Sequence, residues 1–221
     1  LWVSRMILMS TFHLGKVPFK KVLIHGLVRA KDGRKFSKSL NNGIDPLEVI
    51  EKYGADALRM GLIVGSSIGS DIKFDEQKVK AYKNFANKIW NITRYVLTST
   101  EGFNGEKPEK LNSGDQVYVD EIKEMVKDVT KDMEEYRFYL AGEKLYHYVW
   151  HTFADKIIEE SKDKLKSDDA AVVKSAQYTL LYLLRTSLKL LHPFMPFITE
   201  EIWENVKEKD ENLLMVTSWP K

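Results

Sequence analysis

The sequence runs to 221 residues, with 34 Lys and Arg against 32 Asp and Glu, 43% apolar residues and no cysteine. That length suits one large domain or two small ones with a real core, and a 30% charged content balanced in sign excludes wholesale disorder. Disulfides, thiolate nucleophiles and cysteine-ligated zinc are excluded, and the apolar runs fall short of the ~20 residues that span a bilayer.

The net charge of +2 conceals a balance of +9 over residues 1–100 and −7 over residues 101–221. A basic front places any polyanionic partner there, although on charge alone a solvated surface is the commoner explanation. Leu1-Trp2-Val3-Ser4-Arg5 is no signal peptide, and without an initiating Met the chain reads as a piece of something longer. Leu1 to about Phe12 carries apolar residues at helical spacing (Trp2, Met6, Met9), and Gly15 is placed to stop that helix. Lys21 to Arg29, rich in β-branched residues, has the length of a strand. A basic loop continues to Asn42. Asp45-Pro46-Leu47-Glu48 then predicts a helix start, with Asp45 as cap, Pro46 preset for the first turn and Glu48 placed for a capping box. The helix runs to Tyr53, Gly54 ends it, and another begins near Asp56. Helix, strand, loop and helix together form the tail of an α/β domain.

From Asp75 onward the pattern is long helices. Val79, Tyr82, Ala86, Ile89, Thr93 and Val96 share one side of a helix over 76–98. Gly102 to Gly114 is a linker. Ser113 and Gln116 make a second capping box, opening a helix to about Glu135. Further helices are predicted over 138–163 and 168–191, then a break at His192–Pro196 and a short helix near 199–207. The fold class is therefore mainly α: residues 1–75 end an α/β domain and residues 76–221 form a helical bundle.

The chemically most suggestive stretch is Gly33-Arg34-Lys35-Phe36-Ser37-Lys38-Ser39-Leu40-Asn41. Cations and hydroxyls on a loop after a strand can surround a small polyanion: ammonium groups act as point charges on phosphate, and hydroxyls or amides share its oxygens. Taken alone the signal is weak, and a solvated Lys/Ser loop is the commoner explanation. On the helix over 76–98, Lys80, Asn84, Asn87, Lys88, Asn91 and Tyr95 lie opposite the apolar stripe, with Arg94 at the edge and Lys73 just before the helix. Cations, amides and an aromatic on one face suit single-stranded RNA, and an ordinary wet helix face fits as well.

Lys35-Phe36-Ser37-Lys38-Ser39 resembles the Lys-Met-Ser-Lys-Ser signature of class I aminoacyl-tRNA synthetases. His25-Gly26-Leu27-Val28-Arg29 upstream and Asn42-Gly43-Ile44-Asp45-Pro46 and Tyr53-Gly54-Ala55-Asp56-Ala57-Leu58-Arg59 downstream continue the likeness. Asn84-Phe85-Ala86-Asn87-Lys88-Ile89-Trp90-Asn91, Trp150-His151-Thr152-Phe153-Ala154-Asp155 and Leu191-His192-Pro193-Phe194-Met195-Pro196-Phe197 extend it to nearly the whole chain and resemble the valyl branch of that family. Phe36 departs from the signature's Met, and Asn41 stands where glycine is usual.

The resemblance implies the end of a Rossmann-like catalytic domain followed by an anticodon-binding bundle. It implies ATP (with Mg2+), valine and tRNA(Val) as partners, a cytoplasmic location and a monomeric parent. Lys38, supported by Lys35, is expected to stabilise charge on the phosphates, with Phe36, Ser37 and Ser39 shaping the loop. The face from Lys80 to Tyr95, with Lys73, is expected to meet the anticodon. The family's His-Ile-Gly-His signature is not in these 221 residues, so the chain alone is not expected to catalyse. The alternatives are an isoleucyl enzyme, a non-catalytic RNA-binding module and a purely structural scaffold. His147 and His151, four apart, are read as packing residues with no metal predicted, and the aromatics from Phe138 to Phe153 as core. Thr199-Glu200-Glu201 and Asp168-Asp169 are read as helix-start acids.

Overall fold

The computed structural model describes residues 1–37, 40, 42–208 and 211–221. The expected phosphate ligand Lys38, with Ser39 and Asn41, lies outside the described residues.

Helix α1 (Trp2–Leu14) ends where Gly15 turns left-handed at φ 62, as its position predicted; no residue of α1 is buried. The expected strand over Lys21–Arg29 shrinks to β1 (Val28–Arg29). It pairs in parallel with β2 (Ile72–Lys73), Val28 facing Ile72 and Arg29 facing Lys73. The carboxylate of Asp71 holds the two segments together, accepting from the Leu27 N–H at 2.7 Å and from the Arg29 guanidinium.

Helix α2 (Pro46–Tyr53) starts as the sequence dictates, the Asp45 carboxylate accepting from the Leu47 N–H at 2.8 Å. Gly54, at φ 90, breaks the chain into α3 (Ala55–Ile63). Asp75 caps α4 (Glu76–Ser99), and Asp169 caps α8 (Ala170–Leu191). Helix α5 (Ser113–Glu134) departs from the expected capping box: Asn112, not Ser113, is the cap, accepting from the Gly114 N–H at 3.1 Å. Asn112 wins because its own N–H is tied at 2.8 Å to the hydroxyl of buried Ser175.

The helix predicted over 138–163 is α6 (Phe138–His147), a π-helical stretch at Tyr148–Ile157, and α7 (Ile158–Lys164), in sequence. Helix α9 (Pro196–Val206) begins three residues earlier than predicted, at Pro196. Glu200 and Glu201 are therefore not first-turn acids; Glu200 instead accepts from the backbone of Leu214 at 2.7 Å and Met215 at 3.3 Å.

The core is continuous from α2 and α3 through the bundle. Met60 and Ala57 of α3 are buried with Phe85 and Ile89 of α4, Ile122 of α5, Leu145 of α6, Leu183 and Leu188 of α8, and Trp203 of α9. Burial of this apolar surface is the main force holding the helices together. The close approach of α6 to α3 is permitted by Gly142, where a Cβ would stand 2.9 Å from a Val64 methyl.

Candidate RNA face and basic loop

The basic loop is built on a hairpin. After β1 the chain reverses through Ala30–Arg34, with the Ala30 N–H donating to the Arg34 carbonyl at 2.9 Å and the Gly33 N–H to the Ala30 carbonyl at 2.8 Å. Gly33 sits at φ 85, where a side chain would be strained. Arg29 and Lys35 form an antiparallel bridge. Asp32 takes the Arg34 backbone at 2.9 Å and its guanidinium at 2.7 Å, and those bonds hold its carboxyl below the usual value. Lys35 leaves this hairpin exposed.

Asn42 braces the turn of chain beyond the hairpin. Its Oδ1 accepts from the Ser37 N–H at 2.9 Å and its Nδ2 donates to the Lys35 carbonyl at 3.2 Å. Phe36, half-buried, lines an open depression of about 580 Å3 with Ala30, Ile44 and Phe74. Lys31, Asp32, Asn42, Asp75, Glu76 and Gln77 line the rest of it. Asn42 adjoins the motif in sequence, but its bracing role is visible only in the fold.

Lys73 does not stand on α4. Its Cε lies 3.5 Å from where a Cβ at Gly33 would be, so its cation accompanies the loop's turn. The structure thus places Lys73 beside the turn at Gly33 and opposite Arg29 in the two-stranded sheet.

Helix α4 presents Lys80, Asn84, Asn87, Asn91 and Arg94 to solvent on one side. Its opposite side is buried through Val79, Tyr82, Phe85, Ile89, Ile92, Thr93 and Val96. Two predicted members are already engaged. Lys88 pairs with Asp155 at 3.0 Å and lies 5.6 Å over the Trp150 ring, and the half-buried Tyr95 hydroxyl is 3.3 Å from the Ser161 hydroxyl. The Lys88 bond also holds the Asp155 carboxyl below its ordinary value. Trp90, 42% exposed, stands on the flank of the same helix between that face and the buried side, and was not among the predicted residues.

His147 and His151 are exposed on the helix surface with rings stacked at 5.6 Å, so they are not packing residues of the interior as the sequence suggested. Among the described residues no group of three His, Cys, Asp or Glu is placed to hold a metal ion. Tyr148 and Phe153 are buried, and Phe138, Tyr146 and Trp150 pack against the core as expected. Among the described residues no helix is long and apolar enough to cross a membrane.

Two family models match the chain. Residues 1–75 match "tRNA synthetases class I (I, L, M and V)" and residues 115–221 match "Anticodon-binding domain of tRNA ligase". Valine–tRNA ligases from Geobacillus stearothermophilus and Listeria innocua are 47% and 45% identical over the whole chain. The chain spans about a quarter (25%) of the length of each. Among solved structures, the Agrobacterium radiobacter K84 LeuRS–tRNA–LeuAMS ternary complex superposes with a TM-score of 0.77 at 22% identity, covering 99% of this chain and 26% of that one. The Mycobacterium tuberculosis methionyl-tRNA synthetase bound to methionyl-adenylate superposes at TM-score 0.69 and 19% identity, over 87% of this chain and 43% of that one. A loop in the Lys-Met-Ser-Lys-Ser place, a helix exposing amides and cations, and likeness along the full length converge: the chain belongs to the class I tRNA synthetase family.

Proposed function

We propose that this chain is the part of a valine–tRNA ligase that carries the ATP-contacting loop and reads the anticodon of tRNA(Val). Residues 1–75 would complete the catalytic domain and residues 76–221 would form the anticodon-binding bundle. The observation that carries the reading is α4: Lys80, Asn84, Asn87, Asn91 and Arg94 are exposed together on a helix whose other side is fully packed. Cations there hold phosphates, amides read base edges, and Trp90 offers a stacking ring.

In the whole protein, ATP is brought with Mg2+ and valine's carboxylate attacks the α-phosphate, breaking the α–β phosphoanhydride bond so that pyrophosphate leaves. Lys35 and Lys38 stabilise charge on the phosphates, while Ser37, Ser39 and Phe36 shape the loop. A monomer in the cytoplasm fits this role. The name and identity of the relatives support valine over isoleucine as substrate.

The test is binding of the chain to anticodon stem-loops from valine, isoleucine and an unrelated tRNA, each across a salt series. Preference for the valine stem-loop that persists at raised salt, and that Asn84→Ala or Asn91→Ala lowers, is the expected result. Equal affinities that collapse together with salt would mean phosphate attraction only and overturn anticodon reading. Preference for the isoleucine stem-loop would move the chain to the isoleucyl branch.

A further inference from the structure

Two segments 134 to 142 residues apart meet in a junction between α3 and the corner that joins α8 to α9. Helix α9 opens with Pro196, which has no N–H, and its cap residue Met195 makes no side-chain cap bond. The next two N–H groups, of Phe197 and Ile198, would be orphaned at a helix start. Both donate instead to Asp56 of α3, at 3.2 and 2.7 Å, and Asp56 is only 7% exposed. One turn further along α3, Arg59 donates to the Phe194 carbonyl at 3.1 Å and the Pro193 carbonyl at 2.8 Å. One helical turn thus satisfies both orphan donors and two carbonyls of the corner that ends α8 and starts α9.

The C-terminal end of α2, three residues before Asp56, is tied to α4. Glu76 accepts from Lys52 at 2.6 Å and from the Tyr53 hydroxyl at 2.9 Å. Lys83 of α4 donates to the Lys52 carbonyl at 3.0 Å. From α2 the path to the loop is short: Asp45 caps the helix, and Asn42, three residues earlier, holds Ser37 and Lys35.

We propose that Asp56 and Arg59 are positioning residues for adenylate formation: by locking α3 onto the α8–α9 corner they fix where α2, and with it the Lys35–Ser37 loop, stands relative to the RNA-bearing bundle. This rests on the function proposed above. The carboxylate is needed as a double acceptor and the guanidinium as a double donor, so single conservative replacements loosen the joint without emptying the core.

Two measurements test it. In the chain itself, Asp56→Asn and Arg59→Lys are expected to speed amide hydrogen exchange at Ser37 and Leu47 while leaving Ile122 of α5 unchanged. In the full-length protein, the same variants are expected to lower kcat for valine-dependent ATP–pyrophosphate exchange by about 10–100-fold, the scale of a slight misplacement. KM for ATP and stem-loop affinity would stay within about two-fold. Ser175→Ala, which breaks a buried bond to Asp115 far from the junction, supplies the control for a general loss of stability. Unchanged exchange at Ser37 and Leu47, or a kcat loss no greater than that of Ser175→Ala at equal melting temperature, would overturn the proposal. If the unaltered full-length protein lacked valine-dependent activity, the functional reading would fail, and the exchange at Ser37 and Leu47 would still decide the coupling.

Discussion

Asn42 shows how much one amide can decide. It holds Ser37 and Lys35 from opposite ends of a single side chain, each bond contributing about 0.5–1.5 kcal/mol net of competition from water. Asn42→Ala is expected to leave the melting temperature within about 4 °C, since a loop of this kind holds little of the core. NMR order parameters of Lys35 to Ser37 should nevertheless fall toward the flexible range, below about 0.6. Order parameters unchanged from the parent would mean that the hairpin from Arg29 to Lys35 suffices. The residue types of the loop were plain in the sequence because charge and hydroxyl spacing carry the chemistry. The brace was not, because Asn42 acts through backbone atoms five and seven residues back. The neighbourhood of Lys73 was hidden for a related reason: the two-residue β2 that pairs it with Arg29 is too short to leave an alternating pattern.

Among the elements, α4 was the most legible. Its 3.6-residue stripe predicted Val79, Tyr82, Ile89, Thr93 and Val96 as the inner side, and all five are buried, with Ala86 half-buried beside them. The stripe was drawn too narrow. Phe85 and Ile92 are buried as well, and Phe85 is covered by Tyr146 at the end of α6, tilted at 4.9 Å, and by Trp150 of the π-helical stretch, stacked at 6.2 Å. Phe85→Ala should destabilise by about 3–5 kcal/mol, read as a lowered urea midpoint at constant slope. A loss below about 1 kcal/mol would mean that the aromatic cluster refills the space. The start of α9 illustrates the opposite case. Local signals favoured residue 199, yet a carboxylate from α3 reaches Phe197 and Ile198 and lets the helix begin at Pro196. Burial pushes that Asp56 carboxyl above its ordinary value while the two amides pull it down, a contest that no window of nearby residues reveals.

At the scale of the molecule, Asp71 stitches the front of the chain to the segment leading into α4. The Leu27 N–H, then the Arg29 guanidinium, hold its carboxyl below its ordinary value of 3.8. A lowered carboxyl contributes stability that is fully present above its unfolded value and is lost as pH falls through the folded one. Acid below about pH 4 should therefore release the Leu27 amide, seen as a shift and faster exchange, before the bundle melts. Asp71→Asn should abolish that step; an acid response surviving the substitution would assign it to another group. The order of helices and the basic front were legible because periodicity and charge are local in sequence. The way the two parts share one core was not, because it rests on meetings such as Arg59 with Pro193.

The π-helical stretch at Tyr148–Ile157 also bears on which changes of length the bundle tolerates. A wide turn bonds each residue to the fifth beyond it and so takes up more chain per turn than its neighbours α6 and α7. The long helix therefore stores slack at its middle. Shortening there can be absorbed by tightening to α-helical pitch, keeping Leu145 on one side and Ile158 on the other directed at the core, whereas shortening within α5 or α8 would turn everything beyond it out of phase. Length differences between this chain and its relatives within helices are expected to collect in this stretch.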